Sequence, residues 1–380
     1  MKNTNLAQTL AIDSQLRLAG SAGRLMKQIR DIEKVAPLFR DAGLVRAVPK
    51  SNMVDLAVSG VSSHSSVTKA LGGFIYASAA VRTDLAIHEN KVSTVGTDSV
   101  SELDDIDFEA QRKRLDLVEM RHNYALVGRL LEQDAGCQLV LIDTPLFISR
   151  ELQPLERNAR HIAEYERTKT EIERFWSTWR SRLFPWNPNG PVLVSILADR
   201  FNAIVSIARQ DLRTPDGRKH VLASDGLVDR CLEQLKDLES SLVGIGDMRF
   251  ITGILGGHTR TIAFRMSEHQ SRLEPAAEAK HGVIGFHYRC SRPGEIRLAQ
   301  LAGDEVDWPT HALDEVAWRL MVLDLQSRRK AMPLPQLLSR QQLGILDKFS
   351  GYYRQGLNDA LRSNEVENTW LAGLDEGTEQ

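Results

Sequence analysis

The run Leu139-Val140-Leu141-Ile142, closed by Asp143, constrains the fold more than any other stretch of the chain. Four consecutive apolar residues leave no polar face, so a strand built from them must be covered on both sides. Helices on both faces of a sheet supply that cover, which points to an α/β architecture. The aspartate at its end has two readings. It ends the strand and begins a turn at Thr144-Pro145, or it holds a cation from the rigid end of a central strand. Partners elsewhere in the chain decide between them.

Composition narrows the classes. The chain has 380 residues, enough for one large domain or two modest ones, and 42% apolar residues, enough for a substantial core. The formal net charge of -2 gives no global basic field, so any nucleic-acid site must be a local groove. Cys137, Cys231 and Cys290 are odd in number and form no CxxC pair, which suits a reduced, cytoplasmic protein. The N-terminal "MKNTNLAQTLAIDSQLRLAG" contains no apolar signal region. The longest apolar runs, such as "VLVSILA", fall far short of the ~20 residues a membrane span needs, so no membrane association is expected.

Apolar spacings of three and four (Leu16, Leu18, Leu25, Ile29, Ile32, Val35, Leu38) predict a helix over 4–45. Residues 54–61 and 72–82 read as strands rich in small and β-branched residues, with the serine-rich segment between them as a loop. "STVGTDS" reads as turn-rich, and the acidic run "SELDDIDFEAQ" leads into a long helix over 107–134. Residues 150–182 read as helical and charged, and 192–200 as a buried strand. Helices follow at 200–212 and 226–242. The segment 247–264 begins helical and stops at Gly256-Gly257, a C-cap pair. Residues 281–302 read as a hairpin turning at "SRPGE", and 309–362 as helical with "MPLPQ" as an interruption. The predicted organisation is an N-terminal helical segment over 1–48, a main domain over 49–365 with a helical elaboration at about 150–280, and a loose acidic tail over 366–380.

The order strand, strand, long helix, strand ending in aspartate is similar to a ribonuclease H-like core, a mixed sheet flanked by helices. In that core, carboxylates from a first strand, a helix and a later strand converge on two divalent metals, which activate a water and clamp a leaving oxygen. In the helix, Glu119 lies on the edge of an apolar stripe with Leu115, Leu117, Val118 and Leu126. At that spacing it could face Asp143.

Over about residues 50–345 the chain resembles the NurA nucleases, which process DNA ends with a HerA-type hexameric ATPase. "LVLIDTPL" resembles the family strand that carries an aspartate, and Glu119 falls at the helix glutamate. "GHTRTIAF" matches the segment with an Arg-Ser element, at Arg260 and Thr261. "IGFHYRCSRPGEIRLAQL" matches the hairpin whose tyrosine is Tyr288, and "MPLPQLLSRQQ" matches a late Pro-Leu helix. The resemblance implies Glu119 and Asp143 as ligands of Mn2+ or Mg2+, Tyr288 near the scissile phosphate, Arg260 in a DNA-binding groove, and a homodimer.

The departures bear on activity. The family's first-strand aspartate aligns with Ser59 in "LAVSGVSS", and its following serine with Val61. The late histidine is replaced by the segment Arg340, Gln341, Gln342, and the hairpin's acidic residue falls among Leu298 to Leu301. A hydroxyl brings no charge to a divalent site. Two outcomes stay open. One is a NurA-like partner of a HerA-type ATPase, in end processing, repair or genome defence, with nuclease activity weak or lost. The other is an active divalent-metal nuclease with a substitute carboxylate, from among Asp55, Asp84, Asp104, Asp105 and Asp107. Asp55 lies four residues before Ser59, about 13 Å at strand rise. Arg180 and Arg182 beside Trp176, Trp179 and Trp186 suit either single-stranded DNA or core packing. His287 and the clusters Arg112-Lys113-Arg114 and Arg328-Arg329-Lys330 read first as packing or solvated faces.

Overall fold

A computed structural model of the chain describes residues 6–50, 55–70, 73–89, 91–133, 136–197, 227–237, 247–265, 282–291, 295–327 and 332–364. In chain order its elements are α1 (Leu6–Asp41), β1 (Val45–Ala47), β2 (Leu56–Ala70), β3 (Gly73–His88), β4 (Lys91–Ile106) and α2 (Gln111–Glu132). Then come β5 (Leu139–Ile142), α3 (Ala159–Trp179), β6 (Val192–Leu197), α4 (Asp229–Asp237), α5 (Asp247–Ile254), β7 (Thr259–Thr261) and β8 (Phe264–Arg265). The last are β9 (Val283–Arg289), β10 (Ile296–Ala302), α6 (Thr310–Gln326), α7 (Leu334–Leu343) and α8 (Leu346–Ser363). Among the described residues no helix is long and apolar enough to cross a membrane. The fold is mixed α/β, strands flanked by helices. The chain divides into two compact units, one of residues 1–47, 200–264 and 287–296, the other of the remainder.

In the first unit, only the last turns of α1 are buried, through Ile32, Val35, Ala36 and Phe39. They pack on α4 and α5, with Phe39 edge-on to Phe250 at 4.9 Å. Helix α5 comes so near that a Cβ on Gly253 would lie 2.0 Å from Ile32 Cγ2. The preceding apolar residues of α1, among them Leu6, Leu10, Leu16, Leu18 and Leu25, are exposed. Strand β7 pairs antiparallel with β1 and with the end of β9, which sets Arg260 opposite Arg46 on one side and Tyr288 on the other.

In the second unit the strands run β10-β6-β5-β2-β3-β4. β2, β3 and β4 form an antiparallel meander, β5 is parallel to both β2 and β6, and β10 is antiparallel to β6. All four residues of β5 are buried, as its unbroken apolar run requires. Side chains alternate along β2. Val61, Ser63 and Ser65 face α2, which is itself covered by α3. Gly60, Ser62, Ser66 and Thr68 face α7 and α8. Here the backbone approach is so close that a Cβ on Gly60 would stand 2.5 Å from the Gln336 amide nitrogen.

This meander departs most from the expected elements. The serine-rich segment is not a loop but the body of β2, and "STVGTDS" with the acidic run is β4 rather than turn and approach. Small hydroxyl side chains permit the tight helix contact and bond across it. Ser62 Oγ donates to Gln336 O at 3.2 Å, Ser339 Oγ to Gly60 O at 2.8 Å, and Thr68 Oγ1 to Ser350 Oγ at 3.0 Å. The long helix begins at Gln111, and the charged helix only at Ala159. The helix expected over 200–212 and the cluster Arg328-Arg329-Lys330 lie outside the described residues.

Candidate functional site

The parallel register of β2 and β5 pairs Val61 with Ile142, so Asp143 emerges from β5 beside Ser62 and Ser63. Ser63 reaches it twice. Its amide donates at 3.3 and 3.2 Å to the two carboxylate oxygens, and its hydroxyl donates to Asp143 Oδ1 at 3.3 Å. The same hydroxyl stands 3.5 Å from Glu119 Oε2. Sharing one hydroxyl keeps the nearest oxygens of Glu119 and Asp143 within about 7 Å, a span a metal-bridged pair could occupy.

One turn after Glu119 on α2, Asn123 is fully buried. Its Nδ2 donates to Asp143 Oδ1 at 3.1 Å, to Ser63 Oγ at 3.2 Å and to Thr144 Oγ1 at 3.0 Å. Thr144 is held in turn by Ser195, whose Oγ donates to Thr144 O at 2.6 Å. Burial pushes the Asp143 carboxyl above its ordinary pKa, against the opposing pull of Asn123, the Ser63 amide and the Arg340 guanidinium. Burial likewise raises Glu119 to about 7, with a Ser65 hydrogen bond opposing and the charge of Asp143 adding to the rise. Glu119 Oε1 and Asn123 Oδ1 are buried without a hydrogen-bond partner. A proton on Glu119, half present near neutrality, would give that oxygen a donor role.

Glu119 and Asp143 thus come together, and Ser63, not Ser59, is the β2 residue between them. Ser59 sits four residues back, beside Val140. Its hydroxyl donates to Asp84, its cross-strand partner on β3. Asp84 is further bound by Arg82, at 3.2 Å from Nε and 3.1 Å from Nη2. Arg82 also reaches Asp98 at 3.8 Å, Gln133 Oε1 at 2.9 Å and Leu126 O at 3.3 Å. Of the other substitute candidates, Asp55 pairs with His88 at 3.0 Å, and Asp107 with Arg114 at 2.6 Å and with Arg160. Asp104 and Asp105 are exposed on β4.

Arg260 and Tyr288 face each other across β7 and β9 in the first unit, and both are buried, 1% and 0% exposed. Arg260 donates to Thr261 O at 3.0 Å, and the Thr261 hydroxyl accepts from the His287 amide at 3.0 Å. The expected DNA-facing role for Arg260 meets a guanidinium inside a core. His287 is buried as well, stacked on Phe264 at 5.6 Å. In the arginine–tryptophan cluster the tryptophans run from buried to half-buried and the guanidinium groups stack on the outer two. Trp176 is fully buried, Arg180 lies 4.3 Å over Trp186, and Arg182 5.2 Å over Trp179. Arg112 is paired with Asp116 at 3.1 Å.

The fold family implies a two-metal centre, and the donor set here does not fit one. Among the described residues no group of three or more His, Cys, Asp and Glu side chains converges on a metal position. Two carboxylates face a neutral serine, and the N–H and O–H groups of Asn123 and Ser63 point at Asp143. Those positive hydrogens crowd the oxygen that would ligate a cation between Asp143 and Glu119. Asn123 escaped the sequence reading. Its only signal was the four-residue step from Glu119, which puts both on one face of α2.

No family model matches the chain, and no curated protein matches its sequence. Among solved structures, it is similar to the NurA nuclease from Sulfolobus solfataricus, at 12% identity and a TM-score of 0.57 over 96% of this chain and 99% of that one. A second NurA structure matches at 12% identity and a TM-score of 0.41, over 97% of this chain and 99% of its own. A NurA structure with manganese matches at 11% and 0.42, over 92% and 98%. The first similarity spans both units of the chain, and on it the chain has a NurA-like nuclease fold.

Proposed function

We propose that the chain is a NurA-like DNA-processing protein that acts with a HerA-type hexameric ATPase, in the cytoplasm, in DNA end processing, repair or genome defence. Its own nuclease activity is weak or lost. The observation that carries this reading is Ser63. The β2 side chain facing Glu119 and Asp143 is a hydroxyl, so the third carboxylate of a two-metal phosphodiesterase centre is missing. None of the substitute candidates relieves this. Asp84 is turned toward Arg82 and Ser59, and Asp55 toward His88. Any residual Mn2+- or Mg2+-dependent cleavage would have to run on Glu119 and Asp143 alone. The exposed apolar residues of α1 support assembly, either as a homodimer or on the ATPase, because such a stripe is unfavourable in water. Light scattering of the purified chain mixed with a HerA-type hexameric ATPase tests the reading. A dimer that forms a stable complex with the ring is expected. A 42.6 kDa monomer that ignores the ATPase would overturn it.

A further inference from the structure

The second unit contains a polar cluster whose arrangement is unlike a resting metal site. Asp143 closes β5, Ser63 lies on β2, Asn123 on α2, and Thr144 opens the turn after β5. Asn123 is fully buried and Ser63 and Thr144 are 8% and 7% exposed, so each bond they make is shielded from water. Three donor groups converge on Asp143: the Ser63 amide, the Ser63 hydroxyl and the Asn123 amide, all at 3.1–3.3 Å. Asp143 itself is half-buried, and a carboxylate withdrawn from water needs compensation by a cation or by hydrogen bonds. Here hydrogen bonds from two chain segments, β2 and α2, supply it.

We propose that Ser63 and Asn123 form a neutral lock on Asp143. The lock ties the end of β5 to β2 and α2 without a metal ion, and Ser63 is the single position that withholds a divalent site. Asn123 does the work of a cation by presenting its N–H group to Asp143, while its other hydrogen bonds fix Ser63 and Thr144. A carboxylate at position 63 would repel Asp143 and Glu119, remove the hydroxyl that bridges them, and leave three acids within one hydroxyl's reach. Such a cluster is relieved by hard divalent cations, which take oxygen ligands. This deepens the proposed function, since it names what replaced the metal. The two fail separately: a wild-type chain that binds Mn2+ yet joins the ATPase ends the lock and spares the partner reading.

The test uses the full chain and Mn2+ alone, followed by depletion of the free Mn2+ electron paramagnetic resonance signal and by thermal unfolding with and without EDTA. The wild-type chain should leave the Mn2+ signal intact and unfold at the same temperature with or without EDTA. Ser63→Asp should take up Mn2+ at least about tenfold more tightly and gain thermal stability from it. Asn123→Ala should unfold at a lower temperature that Mn2+ does not restore. Stoichiometric Mn2+ uptake by wild type that Asp143→Asn abolishes overturns the proposal. So does a folded Ser63→Asp chain that ignores Mn2+, or an Asn123→Ala chain as stable as wild type. Should Ser63→Asp fail to fold, the wild-type and Asn123→Ala measurements still decide.

Discussion

Two serine–aspartate pairs lie on the same face of β2, four residues apart, and they are neutralised in opposite ways. At Ser59, Asp84 is held by the Arg82 guanidinium, a full charge whose side chain is only 4% exposed. At Ser63, Asp143 is hydrogen-bonded by an amide, a hydroxyl and a backbone N–H, none of them charged, with the Arg340 guanidinium adding a Coulombic pull. At the second site burial outweighs those donors and the carboxyl stays raised. The two serines look interchangeable in the sequence. The chemistry open to each aspartate depends on what stands around it: an ion pair offsets the charge at one end of the strand, and neutral hydrogen-bond donors occupy the carboxylate at the other.

The largest expected effect comes from breaking the charged pair. Arg82→Met strands Asp84, leaves Asp98 to Arg129 alone, and unties Leu126 and Gln133, so it should cost about 3–5 kcal/mol in urea unfolding. A cost below about 1 kcal/mol would show that the guanidinium is not what neutralises this end of β2. Breaking the neutral lock should cost less. Asn123→Ala removes one buried group with three acceptors and should lower stability by about 1–3 kcal/mol.

A pH series sharpens the contrast. The Glu119 carboxyl is raised from 4.5 to about 7 in the folded chain, so the folded state binds the extra proton between those values. Stability from this group is therefore full below pH 4.5 and is lost as pH rises toward 7. Glu119→Gln should flatten that part of the curve, gaining on wild type as pH increases. Asp143 is raised too and leaves a residual slope of the same sign. Identical pH profiles for the two chains would refute the buried-acid assignment. The smallest effect is a difference between serines. Ser63→Ala should cost about 1 kcal/mol, and Ser59→Ala less, because Arg82 still holds Asp84.

The strand ending in Asp143 and the helix carrying Glu119 were legible because their signals are local: an unbroken apolar run and a helical stripe. The meander was not. Its serines carry no hydrophobic alternation, and they belong to a strand because α2 on one face and α7 and α8 on the other bury them. The site shift from Ser59 to Ser63 has the same origin. Which β2 residue meets Asp143 is fixed by the pairing of Val61 with Ile142, 81 residues later, a register no spacing reveals. Likewise, Arg260 and Tyr288, named from their motifs, stand opposite each other across β7 and β9 and both are buried, a placement their spacing in the sequence does not reveal.

The most direct measurement is cleavage of linear DNA by the purified chain alone in Mn2+, set beside Asp143→Ala. With a hydroxyl in place of the third carboxylate, the account predicts little or no cleavage above buffer and no difference between the two proteins. Each 1.36 kcal/mol of lost transition-state stabilisation is about tenfold in rate. Robust cleavage by the wild-type chain that Asp143→Ala abolishes would contradict it.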